Sequence, residues 1–209
     1  MLTPEGPLPY LDRKTWGAAP PVKTIPVSKH LKGVCLHFMG FPVRTEDPIR
    51  LVKSIQRNHM AEPKNWWDIA YNELIAQDGT VLEGRGLLHR SGAQGSTRNN
   101  RSYIALGLLL GDGDEPSDEL IQAVRERISV VRFFQPQATA IVGHSDVKPT
   151  TCPGIHVRAL IRTGAFEPDP SKTPPPAPPK PTPATPQPSL ADQVGDIAAR
   201  VTALEQLIS

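Results

Sequence analysis

The distribution of proline constrains this chain more than any other feature of its sequence. Eleven of the 24 prolines in the 209 residues fall between Pro168 and Pro188. This stretch has almost no apolar side chain that could anchor a core, and its composition is typical of a semi-rigid polyproline II spacer. We predict a Pro-rich linker over residues 167–188, with an ordinary spacer role favoured over an SH3-type ligand. One compact domain over residues 8–166 is then expected ahead of it.

Residues 189–209 follow the linker and carry a heptad pattern. Apolar residues recur there at spacings of 4, 3, 4, 3 and 4, at Leu190, Val194, Ile197, Val201, Leu204 and Ile208. Since a lone helix of this length is marginal in water, the stripe needs a partner. We predict a C-terminal amphipathic helix that makes a homo-oligomeric coiled coil through residues 189–208. Docking on the main domain or on another protein is the alternative. An unchanged oligomeric state after removal of residues 168–209 would contradict the coiled coil.

Charge and hydropathy argue against two classes of partner. The formal net charge is only +2, so we expect no nucleic acid partner. No apolar run approaches the roughly 20 residues of a membrane helix, so we expect no membrane partner. The N-terminus lacks the basic and apolar regions of a secretory signal peptide. Two cysteines, Cys35 and Cys152, cannot make a disulfide framework.

Strand-like and helix-like segments alternate within the predicted domain. Strands are expected at 33–38, 103–111 and 138–144, helices at 46–60, 117–134 and 154–164, and a hairpin at 69–84 that turns at Asp78 and Gly79. This order predicts an α/β fold with a mixed central β-sheet flanked by helices. Strict alternation along 69–77 would put Ile69, Tyr71, Glu73 and Ile75 on one face of the strand, and Ala70, Asn72, Leu74 and Ala76 on the other.

Metal-binding residue types stand at the ends of two predicted strands. His37 ends one strand, His144 ends another, and Cys152 follows eight residues later in a proline-rich loop. Imidazole and thiolate are good zinc ligands, and three of them leave a fourth position open for water, as in catalytic rather than structural sites. A tyrosine on a strand is usually a packing residue, but Tyr71 near such a site could donate to a developing oxyanion.

Six blocks in order carry a specific family resemblance across about residues 30–160. They read VCLHF, IRLVKSIQRNHM, WWDIAYNELIAQDGTVLEGRG, SGAQG, RNNRSYIALGLLLGD and IVGHSDVKPTTCPG. This pattern resembles type 2 N-acetylmuramoyl-L-alanine amidases and peptidoglycan recognition proteins, including phage endolysins. The resemblance implies a Zn²⁺ cofactor in a surface groove, held by His37, His144 and Cys152, and peptidoglycan as the partner.

Further roles follow from the same resemblance. Tyr71 matches the family tyrosine beside the metal, and Thr150 stands where the family has a Thr or Lys facing the scissile amide. Trp67, Arg85 and Gln94 are assigned to substrate binding, although Arg85 could equally be a structural ion-pair residue. Gln94 stands where the family often has a histidine. We assign structural roles to the remaining candidates. Cys35 is expected to be a buried thiol on a strand, and His59 a packing residue at the end of a helix. Asp68 and Asp146 are expected to be turn residues or groups that orient a zinc-binding histidine.

The resemblance implies hydrolysis of the amide between N-acetylmuramic acid and L-alanine. Family members that only bind peptidoglycan typically have another residue at the position of Cys152, so this cysteine favours an enzyme. Residues 104–110 contain no carboxylate, although some bacterial amidases carry a glutamate there as general base. We expect a phage endolysin that stays in the host cytoplasm until lysis and then acts on the cell wall. A non-catalytic peptidoglycan-binding module is the alternative.

Overall fold

The fold was taken from a computed structural model, which describes residues 8–43 and 47–171. The predicted heptad helix and the linker beyond Ser171 lie outside these residues, so both remain predictions. Within the described ranges, none of the helices has the length and apolar character needed to cross a bilayer.

A single mixed sheet organises the described residues. Its strands are β1 (Tyr10–Leu11), β2 (Gly33–His37), β3 (Glu73–Ile75), β4 (Val81–Glu83), β5 (Tyr103–Leu108) and β6 (Ala140–Gly143). They lie in the order β1-β4-β3-β5-β2-β6. Only the β3–β4 pair is antiparallel among these described strands, and it is the hairpin predicted around Asp78 and Gly79. The predicted mixed sheet is therefore confirmed.

Helices cover both faces of the sheet. They are α1 (Arg13–Trp16), α2 (Pro48–Met60), α3 (Thr97–Ser102), α4 (Asp118–Phe134), α5 (His144–Val147) and α6 (Ile155–Arg162). Local sequence explains where the long ones begin. The Ser117 hydroxyl accepts a hydrogen bond from the Leu120 amide at the start of α4, and the Asp47 carboxylate caps α2 in the same way.

The core consists of two apolar clusters separated by the sheet. One includes Val81 together with side chains of α4 and α6, and the other includes Leu82 together with side chains of α1 and α2. Val81 and Leu82 are consecutive in β4, so the two clusters lie on opposite faces. Both clusters reach the candidate site, because Cys152 belongs to the first and Tyr71 packs against the second.

The predicted strand over 69–77 is longer than the observed one, and its predicted alternation is wrong. Residues 69–72 precede β3, so the period-2 rule does not apply to them. Tyr71 packs with the cluster that contains Leu74, whereas Ile75 belongs to the opposite cluster. The sequence analysis also missed the short elements β1, α1, α3 and α5, which are too brief to show a periodic pattern.

Candidate metal centre

The topology of the sheet brings two predicted ligands to one edge. His37 is the last residue of β2, and β6 ends at Gly143, immediately before His144. Since β2 and β6 are parallel neighbours, their carboxyl ends lie side by side. The loop after α5 then returns Cys152 to the same place, where its carbonyl accepts a hydrogen bond from the Ser145 amide at 2.8 Å.

His37, His144 and Cys152 form a cluster suited to zinc. One ligand atom from each lies within 4.8 Å of the others. The Cys152 Sγ is 3.7 Å from the His37 Nδ1, close to the separation of about 3.6 Å that typical zinc bond lengths and a tetrahedral angle give for such a pair. The Nε2 atom of His144 is buried and has no hydrogen-bond partner among the described residues. This donor set fits a zinc ion.

Burial sets the protonation state of the three candidate ligands. It lowers the pKa of His37 well below the ordinary value, with His144 adding to the effect. Burial also lowers the pKa of His144, and the nearby Lys148 ammonium lowers it further. Burial raises the pKa of the Cys152 thiol to about 11, against the opposing hydrogen bond from the Phe38 amide. Both imidazoles are therefore neutral at pH 7, which is the form that binds metal.

Tyr71 lies beside the candidate ligands, as predicted. Its ring centroid is 5.4 Å from that of His37 in an edge-on arrangement. A glycine explains this approach: Gly107 pairs with His37 in the sheet, and a Cβ at Gly107 would lie 2.9 Å from the Tyr71 ring. Burial raises the pKa of Tyr71, and the Cys152 and Cys35 thiols raise it further. The phenol is therefore protonated and can act as a hydrogen-bond donor.

Thr150 is exposed on the loop that carries Cys152. Its Oγ1 accepts a hydrogen bond from the Cys152 amide at 3.3 Å. The hydroxyl is the acceptor in that bond, so its own hydrogen can still be donated. The structure thus ties Thr150 to the candidate ligand Cys152 on the solvent side of the loop.

The three predicted substrate-binding residues occupy very different environments. Trp67 is 38% exposed, and the Lys23 Nζ lies 5.0 Å from its ring centroid. The Arg85 guanidinium donates to the carbonyls of Ile69, Arg90 and Asp68. Arg85 thus braces the main chain, which agrees with a structural role but through carbonyls rather than the suggested ion pair.

Gln94 is not brought to the surface of the site. Its side chain is 0% exposed. Its Oε1 accepts from the Ser91 hydroxyl at 2.6 Å, and its Nε2 donates to the Tyr103 carbonyl at 3.3 Å. A fully buried amide in these bonds is out of reach of a polymeric substrate, so the predicted contact finds no support in the fold.

Several side chains around the ligands have structural roles. His59 packs against Trp66, with ring centroids 4.8 Å apart, and its Nδ1 accepts from the Ala70 amide; burial lowers its pKa to about 4. The Asp146 carboxylate accepts from the Gly143 amide at 2.7 Å and so braces the turn that carries His144 without contributing a ligand. Cys35 is a buried free thiol, as expected.

One functional group of the site is a main-chain amide that the sequence analysis missed. The Phe38 amide, one residue after His37, donates to the Cys152 Sγ at 3.4 Å. Hydrogen bonds of this kind stabilise a thiolate. No side-chain pattern marks a main-chain donor, and only its place directly after a strand-end ligand could have suggested it.

Comparison with known proteins decides the family. No family model matches the chain. Peptidoglycan-recognition protein SC1a of Drosophila melanogaster is 31% identical over 158 residues, which cover 73% of this chain and 83% of that protein. The chain belongs to the peptidoglycan recognition protein and type 2 amidase family. An N-acetylmuramoyl-L-alanine amidase of Sus scrofa and human peptidoglycan recognition protein 4 are each 32% identical, over 162 and 160 residues. In both cases the match covers 72% of this chain, but it spans only 26% of the amidase and 41% of the human protein.

Solved structures agree with this family assignment. Drosophila peptidoglycan recognition protein LB aligns with a TM-score of 0.68 at 24% identity, over 80% of this chain and 100% of that one. Manduca sexta peptidoglycan recognition protein 1 aligns with a TM-score of 0.66 at 25% identity, over 73% and 89% of the two chains. A variant of the LB protein was solved in complex with tracheal cytotoxin, and the LE protein with the same compound, described as monomeric diaminopimelic acid-type peptidoglycan.

Proposed function

We propose that this chain is a zinc-dependent N-acetylmuramoyl-L-alanine amidase, which hydrolyses the amide between N-acetylmuramic acid and L-alanine in peptidoglycan. The observation that carries the proposal is the cluster of His37, His144 and Cys152 with the protonated phenol of Tyr71 against it. A binding module needs a groove but no such ligand set. The family assignment supports peptidoglycan as the substrate class, because two relatives were solved with a peptidoglycan fragment.

The chain divides the work of this reaction among its own residues. His37, His144 and Cys152 would hold the zinc ion, which would supply Lewis acidity to the amide carbonyl and to a water nucleophile at neutral pH. Tyr71 keeps its proton at neutral pH because burial raises its pKa, so it donates a hydrogen bond to the oxygen that gains negative charge. Thr150, on the exposed side of the Cys152 loop, supplies a second donor.

In this proposal the amidase serves as a phage endolysin, present in the host cytoplasm until lysis and then at the cell wall. The oligomer predicted through residues 189–208 would present several copies of the domain to a polymeric substrate and so raise the effective concentration. An endolysin is expected to reduce the turbidity of a suspension of intact walls. Protein that cuts soluble muramyl peptides and leaves intact walls unchanged would point to another cellular role.

Product analysis tests the proposal directly. Purified peptidoglycan is digested with the protein as isolated, after chelation, and after zinc is restored, and the fragments are identified by mass spectrometry. We expect new L-alanine amino termini, intact glycan strands, and activity that disappears with chelation and returns with zinc. New reducing sugar ends would contradict an amidase. Binding to peptidoglycan without any cleavage would make the chain a recognition module.

A further inference from the structure

We infer that Arg13 and Asp68 form a positioning pair that fixes Tyr71 in the site from the N-terminal segment of the domain. The inference rests on the proposed function, because it concerns how the tyrosine is held for catalysis. Asp68 is not one of the candidate metal ligands, which among the described residues are His37, His144 and Cys152.

Tyr71 needs external support because of where it lies in the chain. It stands outside regular secondary structure, two residues before β3 begins. Its neighbours are held by groups on other elements. The Ala70 amide donates to the His59 ring at 3.2 Å, and the Ala70 carbonyl accepts from the Gly92 amide at 2.8 Å. The segment is therefore a loop that is held before Tyr71 by side chains and by other loops. After Tyr71 it is held by the Asn72 amide, which donates to the Ala105 carbonyl of β5 at 2.9 Å.

The Asp68 carboxylate is the central acceptor of this loop. It is 3% exposed. Its Oδ1 accepts from the Gln56 Nε2 and from the Ile69 amide, both at 2.7 Å. Its Oδ2 is 2.8 Å from the Arg13 Nη1. A buried carboxylate without a cation would be costly, so Arg13 is the partner that makes this burial possible.

Arg13 links Asp68, three residues before Tyr71, to Gly84, which lies against the Tyr71 main chain. Beyond Asp68, its guanidinium donates to the carbonyls of Gly84 and Ala19. Gly84 packs directly on Tyr71, because a Cβ at Gly84 would overlap the Tyr71 carbonyl oxygen. The next amide, of Arg85, donates to that same carbonyl at 2.9 Å. One cation thus ties the loop before Tyr71 to the loop that packs on its main chain.

Different parts of the fold position Tyr71 and supply the candidate zinc ligands. The ligands come from β2, α5 and the loop that follows α5, whereas Arg13 and Asp68 hold only the loops around Tyr71. Loss of the pair should therefore move the phenol and leave the zinc ligands in place. A displacement of about 1 Å at a reacting group can cost about a hundredfold in rate.

The test is a double-mutant cycle in the full-length, zinc-loaded chain. Arg13→Met is made alone and together with Tyr71→Phe, and kcat, KM and zinc content are measured for muramyl-peptide hydrolysis. We expect Arg13→Met to lower kcat by about ten- to a hundredfold, with KM and zinc content unchanged. In the Tyr71→Phe background, Arg13→Met should cause no further loss of kcat, because the hydroxyl that Arg13 helps to position is already absent. An unchanged kcat, or losses that multiply, would overturn the inference.

Matched variants and a second measurement keep the test decisive. Arg132→Met breaks the more exposed Arg132–Glu167 ion pair and should leave kcat unchanged. If Arg13→Met does not fold, Arg13→Lys retains the charge while losing the forked contacts, and a partial loss of kcat is expected.

A readout that needs no activity separates this inference from the proposed function. The chain has three tyrosines, so ring resonances of a tyrosine-labelled sample are readily assigned. Arg13→Met should shift the Tyr71 ring signals and leave those of Tyr103 unchanged. If the wild type does not cut peptidoglycan, the proposed function fails. The shift of Tyr71 then decides the positioning pair by itself, and unmoved signals would refute it.

Discussion

Burial, at the scale of single residues, prepares this site for metal chemistry. The two imidazoles are held neutral and the phenol is held protonated by their removal from water. The thiol alone is in the wrong protonation state for binding, with a pKa of about 11. A zinc ion bound as proposed would therefore displace one proton, that of the Cys152 thiol.

The number of protons released when zinc binds measures the protonation state of the candidate ligands directly. Cys152 must lose its proton to become a thiolate ligand, while His37 and His144 have none to lose at pH 7. We expect close to one proton released per zinc, and an affinity that rises about tenfold per pH unit between roughly pH 7 and 9. Titration calorimetry in buffers of different ionisation enthalpy gives the number. Release of no proton would mean that Cys152 does not ligate as a thiolate.

The Tyr71→Phe substitution distinguishes the contribution of the phenol hydroxyl to catalysis from that of the metal. The substitution keeps the ring that packs over Gly107 and removes only the hydroxyl. If that hydroxyl stabilises an oxyanion, kcat should fall by about ten- to a thousandfold while zinc content stays the same. Steady-state hydrolysis of a muramyl peptide with parallel metal analysis checks it, with Tyr103→Phe as the matched control. Full activity of Tyr71→Phe would remove the phenol from the mechanism.

The ligand set could be predicted at this scale, whereas the surroundings of Tyr71 could not. His37 and His144 end apolar segments, and such segments are readable as strands. The orientation of Tyr71 depends on Gly107, on the hydrogen bond that the Arg85 amide donates to the Tyr71 carbonyl, and on the one that the Ala70 amide donates to His59. These partners are distant in the sequence. Strand alternation contains none of this information. The burial of Gln94 arose in the same way, through contacts with Ser91 and Tyr103 that no local pattern announces.

A buried ion pair fastens one helix to the sheet at the scale of elements. Arg127 of α4 donates two hydrogen bonds of 2.8 Å to the Glu73 carboxylate of β3. The side chains are 6% and 0% exposed. Glu73 opens the strand that directly follows the Tyr71 loop, so this pair fixes the hairpin next to that loop.

Removing one member of this pair should destabilise the fold much more than removing both. Arg127→Met leaves the Glu73 carboxylate buried without a cation, which typically costs about 3–5 kcal/mol in the free energy of unfolding. The double variant Arg127→Met/Glu73→Met replaces the pair by apolar side chains and should recover most of that loss. Denaturant unfolding of the three proteins measures both quantities. Equal stabilities for single and double variants would show that the pair is not coupled.

Elements with strong local signals were predicted well. The caps of α4 and the Asp78–Gly79 turn are encoded by a few adjacent residues. The single turn of α5 and the two-residue strand β1 carry too few residues for periodicity, and both are held in place by partners distant in the sequence. For this reason neither α5 nor β1 could be predicted from the sequence pattern.

At the scale of the whole molecule, the order of the strands in the sheet brings the residues of the candidate site together. β5 lies between β3 and β2, and this crossover puts Gly107 between Tyr71 and His37. The fold class could be predicted from the alternation of helices and strands along the chain. The spatial order of the strands could not, because it depends on packing across the sheet. The three candidate ligands and Tyr71 all lie within the described residues. The oligomerisation predicted through residues 189–208 concerns the delivery of the activity rather than its chemistry.

The most direct test compares the wild type with Cys152→Ser in one experiment. Metal content and the release of L-alanine amino termini from a muramyl peptide are measured on the two proteins together. We predict about one zinc per chain in the wild type, hydrolysis by the wild type, and loss of both in the variant. A wild type that lacks zinc and binds peptidoglycan without cutting it would contradict a zinc amidase. A Cys152→Ser protein that hydrolyses at the wild-type rate would contradict the role of Cys152 as a ligand.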